Sequence, residues 1–145
     1  NRGFIAFAEA LKSPKGVLGS LVDLDLMNNQ IGDDGMKEFS SAIATGALGS
    51  LVELKLSNNR IGDDGMKAFS YALTGGKLGS CTFINLARNN IGDVGMYALR
   101  DVIRLGELPL CQPHSLGLPG NPASTQAIQA VEDALRSREV ANQAA

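Results

Sequence analysis

The sequence predicts an α/β solenoid, a stack of strand–helix units with parallel strands on one side and helices on the other. The first observation is a segment written three times in register: LVDLDLMNNQIGDDGM from Leu21, LVELKLSNNRIGDDGM from Leu51 and CTFINLARNNIGDVGM from Cys81. The second is that each copy passes from the apolar period of a strand to that of a helix. The third is composition, because 145 residues with 44% hydrophobic side chains are typical of a folded protein.

Each copy begins with a short strand and continues into a helix. Leu24 and Leu26 are two residues apart, so both side chains point to the same face of a strand. Met36, Phe39 and Ile43 follow at helical spacing and form one apolar stripe. The same positions recur at a spacing of 30 residues in Leu54, Leu56, Met66, Phe69 and Leu73, and then in Ile84, Leu86, Met96, Leu99 and Ile103.

Capping residues mark the ends of the predicted helices. An aspartate lies just before each apolar stripe, where its carboxylate is predicted to cap the free N–H groups of that helix. A glycine follows each stripe, at the place of a left-handed C-terminal cap. The aspartates are Asp33, Asp63 and Asp93, and the glycines are Gly46, Gly76 and Gly106. Their recurrence favours a structural role for GDDG, which lacks the lysine and glycine spacing of a phosphate-binding loop.

Two weaker copies extend the pattern toward both ends of the chain. A two-residue insertion in LGELPLCQP precedes a fourth copy, whose helix is predicted over Thr125–Arg136, and GFIAFAEAL from Gly3 matches the helix half of a copy. We therefore predict a single domain over 1–145. Its parts are a half repeat at 1–20, repeats at 21–50, 51–80, 81–112 and 113–137, and a polar tail at 138–145. The half repeat and the absence of an initiator Met predict a fragment of a longer protein.

The shared pattern LxxLxLxxNxIGDxGM resembles the leucine-rich repeat, in the long subtype found in ribonuclease inhibitor and in the C-terminal regions of NOD-like receptors. The resemblance extends from Gly3 to about Leu135, with departures at Cys81 and Phe83 and at the prolines of the fourth copy. It implies a curved solenoid with the parallel sheet inside and the helices outside. It also implies a structural asparagine ladder, in which amides satisfy backbone groups where the chain leaves each strand. The ladder residues are Asn29, Asn59, Asn89 and Asn121.

Composition and spacing argue against several classes of function. The net charge is −2 and the 13 basic residues are scattered, which argues against nucleic-acid binding. No apolar stretch reaches the length of a membrane span. With one histidine and two separated cysteines, no metal or cofactor site is predicted. No catalytic constellation indicates an enzyme, and His114, at the place of Leu24, is interpreted as structural.

The cysteines do not form a disulfide framework. Cys81 replaces Leu21 and Leu51 in register, so a small buried apolar role is favoured over a bridge to Cys111. No Asn-x-Ser/Thr glycosylation site occurs in the chain. These features favour an intracellular protein, without specifying the compartment.

The strand positions between the core columns remain available for function. Their side chains face away from the helices, and they differ from copy to copy in charge and size. The first two copies supply an acidic patch that a lysine partly neutralises, and the third supplies an exposed phenylalanine with an arginine nearby, a combination typical of protein interfaces. The predicted partner-binding residues are Asp23, Asp25, Glu53, Lys55, Phe83, Asn85 and Arg88.

These observations predict a non-catalytic protein–protein interaction module or scaffold that binds an unidentified protein partner through the concave strand face. One alternative is a regulator of a small GTPase, because the catalytic module of Ran GTPase-activating protein has similar repeats. Another is an architectural subunit that joins a large assembly through its helical face, where Lys37, Glu38, Lys67 and Tyr97 point outward. Phe83 also has an alternative interpretation, in which it packs against Lys55 or the next repeat.

Overall fold

The computed structural model describes residues 2–12, 19–109 and 115–144, with side chains described as far as residue 141. Helices and short strands alternate along the described chain after an initial helix. The helices are α1 (Arg2–Leu11), α2 (Asp33–Ala44), α3 (Asp63–Ala72), α4 (Asp93–Arg104) and α5 (Thr125–Ala144). The strands are β1 (Asp23–Asp25), β2 (Glu53–Lys55), β3 (Phe83–Asn85) and β4 (Leu116–Gly117).

The four strands form one parallel sheet in chain order, β1-β2-β3-β4. Equivalent residues of the repeats pair, so that Leu24 lies beside Leu54, Leu54 beside Ile84 and Ile84 beside Leu116. A helix connects each strand to the next, and consecutive helices pack against each other. This arrangement confirms the α/β solenoid that the periodicity predicts.

The core lies between the sheet and the helices. The central residue of each strand is buried, and the apolar stripe of each helix meets it from the other side. In the second unit Leu54, Ile61, Met66 and Phe69 are fully buried. Burying one such side chain stabilises the fold by about 1.5–3 kcal/mol relative to leaving it exposed. At the first strand the burial is less complete, since Leu26 is only partly buried whereas its equivalents Leu56 and Leu86 are fully buried.

The predicted role of the aspartates as caps of their own helices is wrong. Asp33 is the first residue of α2, and the N-cap of that helix is Gly32, which makes no side-chain capping bond. The Asp33 carboxylate instead reaches the next unit, where its Oδ1 accepts hydrogen bonds from the N–H groups of Gly62 (2.7 Å) and Gly65 (3.0 Å). Each carboxylate therefore lies at the positively polarised N-terminus of the following helix.

The same bond recurs along the solenoid, and we call Asp33, Asp63 and Asp93 the aspartate ladder. Asp63 Oδ1 accepts from the N–H groups of Gly92 and Gly95, both at 2.8 Å. Asp93 accepts from the N–H (2.6 Å) and the hydroxyl (3.0 Å) of Ser124, just before α5. Sequence spacing alone placed these carboxylates at helix N-termini, but it did not show that the contacted helix belongs to the next repeat.

The ladder asparagines lie in the loop between each strand and its helix. Asn59 Oδ1 accepts from the N–H groups of Asn29 (3.0 Å) and Ile31 (2.9 Å). Its amide nitrogen donates to the carbonyls of Leu26 and Leu56, at 3.0 and 2.9 Å. One amide thus bonds backbone groups of two consecutive repeats.

The C-terminal segment differs from its prediction as a polar tail. Helix α5 continues from Thr125 to Ala144, whereas the sequence predicted a helix ending at Arg136 and a tail at 138–145. The segment SREVANQAA contains neither glycine nor proline, and its alanines, glutamate, glutamine and arginine favour helix. Polarity therefore indicated an exposed surface here rather than the end of the helix.

The C-termini of α2 and α4 and one cysteine agree with their predictions. Gly46 and Gly106 directly follow the C-caps of these helices and have φ angles of 84° and 76°. Helix α3 ends earlier than predicted, at Ala72, so Gly76 (φ 70°) lies beyond its cap. Cys81 is a buried free thiol, and burial raises its pKa to about 11. Cys111 and His114 lie outside the described residues, and the place of Leu24 in the fourth unit is held by Leu116, so the assignment of His114 to that place is wrong.

Candidate functional site

The sheet face that points away from the helices, which we call the concave face, presents two rows of side chains. The residues on either side of each buried central leucine or isoleucine point outward. One row runs Asp23, Glu53, Phe83, and the other runs Asp25, Lys55, Asn85, Gly117. The structure therefore brings six of the seven predicted partner-binding residues onto adjacent strands, and the seventh, Arg88, follows β3.

The first two strands carry a cluster of charges in which one lysine serves two carboxylates. Lys55 Nζ lies 3.7 Å from Asp23 Oδ2 and 3.6 Å from Glu53 Oε2. Asp25 Oδ1 accepts a hydrogen bond from the N–H of Met27 at 3.1 Å, which fixes this carboxylate beside its own strand. Three carboxylates against one ammonium leave two negative charges at this end of the concave face.

Phe83 is half-buried, between the exposed and the packed interpretations that the sequence left open. Its strand neighbour in β2 is Glu53. Among the described residues, the partly buried hydrophobics that pack against the core do not include Phe83. The aromatic ring is thus held on the concave face without being part of the core between sheet and helices.

Arg88 has a left-handed backbone, with φ of 56°. The position requires this conformation in every unit, since Asn28 (61°), Asn58 (56°) and Gly120 (85°) share it. Asparagine and glycine tolerate left-handed φ, whereas other L-residues such as arginine lose about 1 kcal/mol or more there. The repeat pattern places Arg88 at a strand end but does not by itself reveal this strain; the asparagines and the glycine at the equivalent positions were the available signal.

Two glycines of the fourth unit lie directly beneath side chains of the third. A Cβ on Gly120 would lie 2.8 Å from Arg88 Cγ, and a Cβ on Gly117 would lie 2.5 Å from Asn85 Oδ1. Asn85 Oδ1 also accepts from the N–H of Ala87 at 3.0 Å, which fixes the amide. The fourth unit therefore has no side chains at these two positions, and Asn85 and Arg88 lean over it.

The helical face offers one competing surface. A groove of about 320 Å³ lies between α2 and α3, lined by Lys37, Ser41, Ala44, Ala68 and Tyr71 among others. Tyr71 is 81% exposed at its rim.

Neighbouring parts of the helical face are occupied by ionic and aromatic contacts. Lys12 of the segment after α1 bonds Glu38 of α2 at 3.0 Å, and these contacts raise the pKa of Lys12 and lower the pKa of Glu38. On α4 the guanidinium of Arg100 lies 4.7 Å from the centre of the Tyr97 ring.

The part of the chain that the structure describes contains neither a candidate metal site nor a candidate membrane-spanning helix. No group of three or more His, Cys, Asp or Glu side chains there is arranged to hold a metal ion. No helix within the described ranges combines the length and apolar character that a bilayer crossing requires.

Comparison with known proteins assigns the fold. A family model described as "Leucine Rich repeat" matches residues 20–40, 50–70 and 82–99, each match covering a strand and the start of the following helix. The fold is a leucine-rich-repeat solenoid. Among solved structures the solenoid is similar to one described as "Leiomodin-1 Actin-Binding Site 2 (ABS2)", with a TM-score of 0.62 and 17% sequence identity over 94% of this chain and 89% of that chain. A comparison with curated proteins finds no significant match.

Proposed function

We propose that this leucine-rich-repeat chain is a non-catalytic interaction module that binds a protein partner through its concave face. The observation that carries the proposal is Phe83, a half-buried aromatic side chain that stands on this face outside the core. Aromatic residues flanked by polar and charged groups are enriched at the centres of protein interfaces. The structurally similar leiomodin segment is described as an actin-binding site, which supports protein binding as a use of the fold.

The geometry supports a protein or peptide over a small molecule. The concave residues project from paired strands whose register is fixed by backbone bonds, so their presentation costs little conformational entropy on association. Their rows cross four strands, a width of about 15 Å at 4.8 Å per strand step. Small-molecule sites are enclosed pockets that bury most of the ligand, whereas the concave face is an open strip that favours an extended partner surface.

A matched pair of aromatic truncations tests the proposal. Phe83→Ala removes the ring on the concave face, and Tyr71→Ala removes the exposed ring at the rim of the groove between α2 and α3. Proteins captured from a lysate by the wild-type chain are compared with those captured by each variant, and the affinity of the recovered partner is then measured. We expect Phe83→Ala to weaken binding at least tenfold and Tyr71→Ala to change it less than twofold, with unchanged circular dichroism for both.

The same pair discriminates the architectural alternative, which the open groove on the helical face favours. If Tyr71→Ala abolishes capture and Phe83→Ala does not, the helical face is the binding surface and the chain is a subunit of an assembly. Regulation of a small GTPase is tested separately, by measuring GTP hydrolysis by a candidate GTPase with and without the chain. The proposal includes the long ribonuclease-inhibitor-like subtype, which the 30-residue spacing of the repeats supports. It also includes an intracellular location, which the buried free thiol of Cys81 supports.

A further inference from the structure

We infer that the concave face is bipolar and selects an extended peptide segment carrying a basic residue at one end, a large apolar residue in the middle and an acidic residue at the other end. The inference rests on the proposed function, because it names the partner of that same surface. The basic residue would lie over β1 and β2, the apolar residue against Phe83 and the acidic residue at Arg88.

The negative end is formed by the charge cluster of the first two strands. Lys55 is shared between Asp23 and Glu53 at distances of 3.6–3.7 Å, longer than a direct hydrogen bond. Asp25 is exposed and has no cation within 4 Å among the described residues. A partner lysine or arginine can therefore bind Asp25 and complete the coordination of Asp23, without displacing Lys55.

The positive end is the guanidinium of Arg88. It is exposed, and within the described ranges no carboxylate lies within 4 Å of it. The equivalent positions in the other three units hold Asn28, Asn58 and Gly120, the residue types that suit a left-handed backbone. Arginine is unfavourable there and gains no ion-pair partner among the residues that the structure describes, and a strained residue of this kind is an indication of function.

One further side chain with positive φ does not weaken this comparison. Gln30 has φ of 56°, but its equivalents Arg60 and Asn90 do not share the conformation. The strain at Gln30 is thus confined to the first unit. At Arg88 the fold imposes the conformation on every unit, so the choice of arginine is the feature to be explained.

The spacing between the two ends fixes the length of the segment. From β1 to Phe83 on β3 the sheet extends about 10 Å, the span of about three residues of extended chain. From Phe83 to Arg88 the chain advances five residues, about 16 Å, so a segment that contacts both charged ends and Phe83 has about eight residues between its charges. Gly117 and Gly120 leave the space beside β3 to the Asn85 and Arg88 side chains, because no side chain rises from the fourth unit at these positions.

Selection from a displayed library of random 12-residue peptides on the immobilised full chain tests the inference. We expect the enriched peptides to carry Lys or Arg and Asp or Glu on either side of an aromatic or large aliphatic residue, with the charges about eight residues apart. For one synthetic enriched peptide, Arg88→Glu should weaken binding at least tenfold, and replacing its acidic residue by lysine should restore binding to that variant.

Two controls separate charge from folding and from location. Arg88→Asn removes the charge but keeps a residue suited to the left-handed backbone, so it should lose affinity while its melting midpoint stays the same or rises. Lys67→Glu reverses a charge on the helical face, where Lys67 lies 3.8 Å from Asp64, and should leave peptide affinity within twofold.

The outcomes distinguish this inference from the proposed function. If enriched peptides require Phe83 but show no charge pattern and bind Arg88→Glu normally, the bipolar site is refuted and the concave interaction module stands. If no enriched peptide depends on Phe83, the proposed function is refuted, and the inference with it.

Discussion

Removing one ladder asparagine should cost far more than removing the asparagine next to it. Asn89 is 9% exposed, and its Oδ1 accepts from the N–H of Ile61 at 3.1 Å. Its amide nitrogen donates to the carbonyls of Leu56 (3.0 Å) and Leu86 (3.1 Å). Asn90 is exposed. The substitutions Asn89→Ala and Asn90→Ala therefore make the same chemical change in two different environments.

The expected magnitude follows from the groups that lose their partners. Asn89→Ala leaves one N–H and two carbonyls without the amide, and each buried unsatisfied group costs about 1–3 kcal/mol. Water reaching the edge of the loop reduces the sum, so we expect a loss of about 3 kcal/mol in the free energy of unfolding. For a domain of this size that corresponds to a fall of about 10 °C in Tm. Asn90→Ala should cost less than about 0.5 kcal/mol.

Urea denaturation followed by circular dichroism measures both variants. The slope of the transition should be unchanged, because the same surface is exposed on unfolding. Equal midpoints for Asn89→Ala and Asn90→Ala would show that the amide does not hold the two repeats together, and the hydrogen-bond pattern described above would be wrong.

Three further predictions concern the aspartate ladder and the buried thiol. Asp33→Ala should lower the free energy of unfolding by about 1–3 kcal/mol, because two N–H groups of the next unit lose a charged acceptor. Asp34→Ala changes an exposed neighbour and should cost under about 0.5 kcal/mol, and urea midpoints of the two variants test the difference. Gly65→Ala should destabilise despite the better helix propensity of alanine, because its Cβ would lie 2.7 Å from Asp33 Oδ1, and an unchanged Tm would contradict that contact. Burial raises the pKa of Cys81 from 9.0 to about 11. The contribution of this thiol to the free energy of unfolding is therefore fully present below pH 9 and is lost as the pH rises through 11. Urea midpoints should fall over this range more steeply for the wild type than for Cys81→Ala.

The sequence determined the fold because its signal is repeated. Every core column recurs at least three times, so the strand period at Leu24 and the helix period from Met36 each have independent confirmation in later copies. The register between strands followed directly, since equivalent residues of equal units must pair. Single-copy features had no such support, and the end of α5 was misjudged for that reason.

The candidate site was predictable in position but not in geometry. Alternation about the buried central residue is enough to assign Asp25, Lys55 and Phe83 to one face. It does not reveal that Lys55 lies between two carboxylates or that Arg88 adopts a left-handed backbone. Those facts depend on side-chain rotamers and loop dihedral angles, which the repeat pattern does not determine for polar residues. The capping aspartates show the same limit, because a spacing indicates a helix N-terminus without saying whose.

The aspartate ladder also constrains how such a chain can lengthen. The carboxylate-to-amide step is 29 residues from Asp33 to Gly62 and from Asp63 to Gly92, but 31 from Asp93 to Ser124. The two extra residues lie between α4 and β4, while the nine-residue step from the centre of each strand to its helix is unchanged in all four units. Duplication of a whole unit would therefore reproduce every hydrogen bond of the aspartate ladder. An insertion between a helix and the next strand is absorbed by the connection. An insertion between a strand and its helix would instead move that helix N-terminus away from the preceding carboxylate and move its own aspartate away from the next unit. The single change of length among the four units thus lies between a helix and the next strand, where it leaves the ladder bond from Asp93 to Ser124 in place.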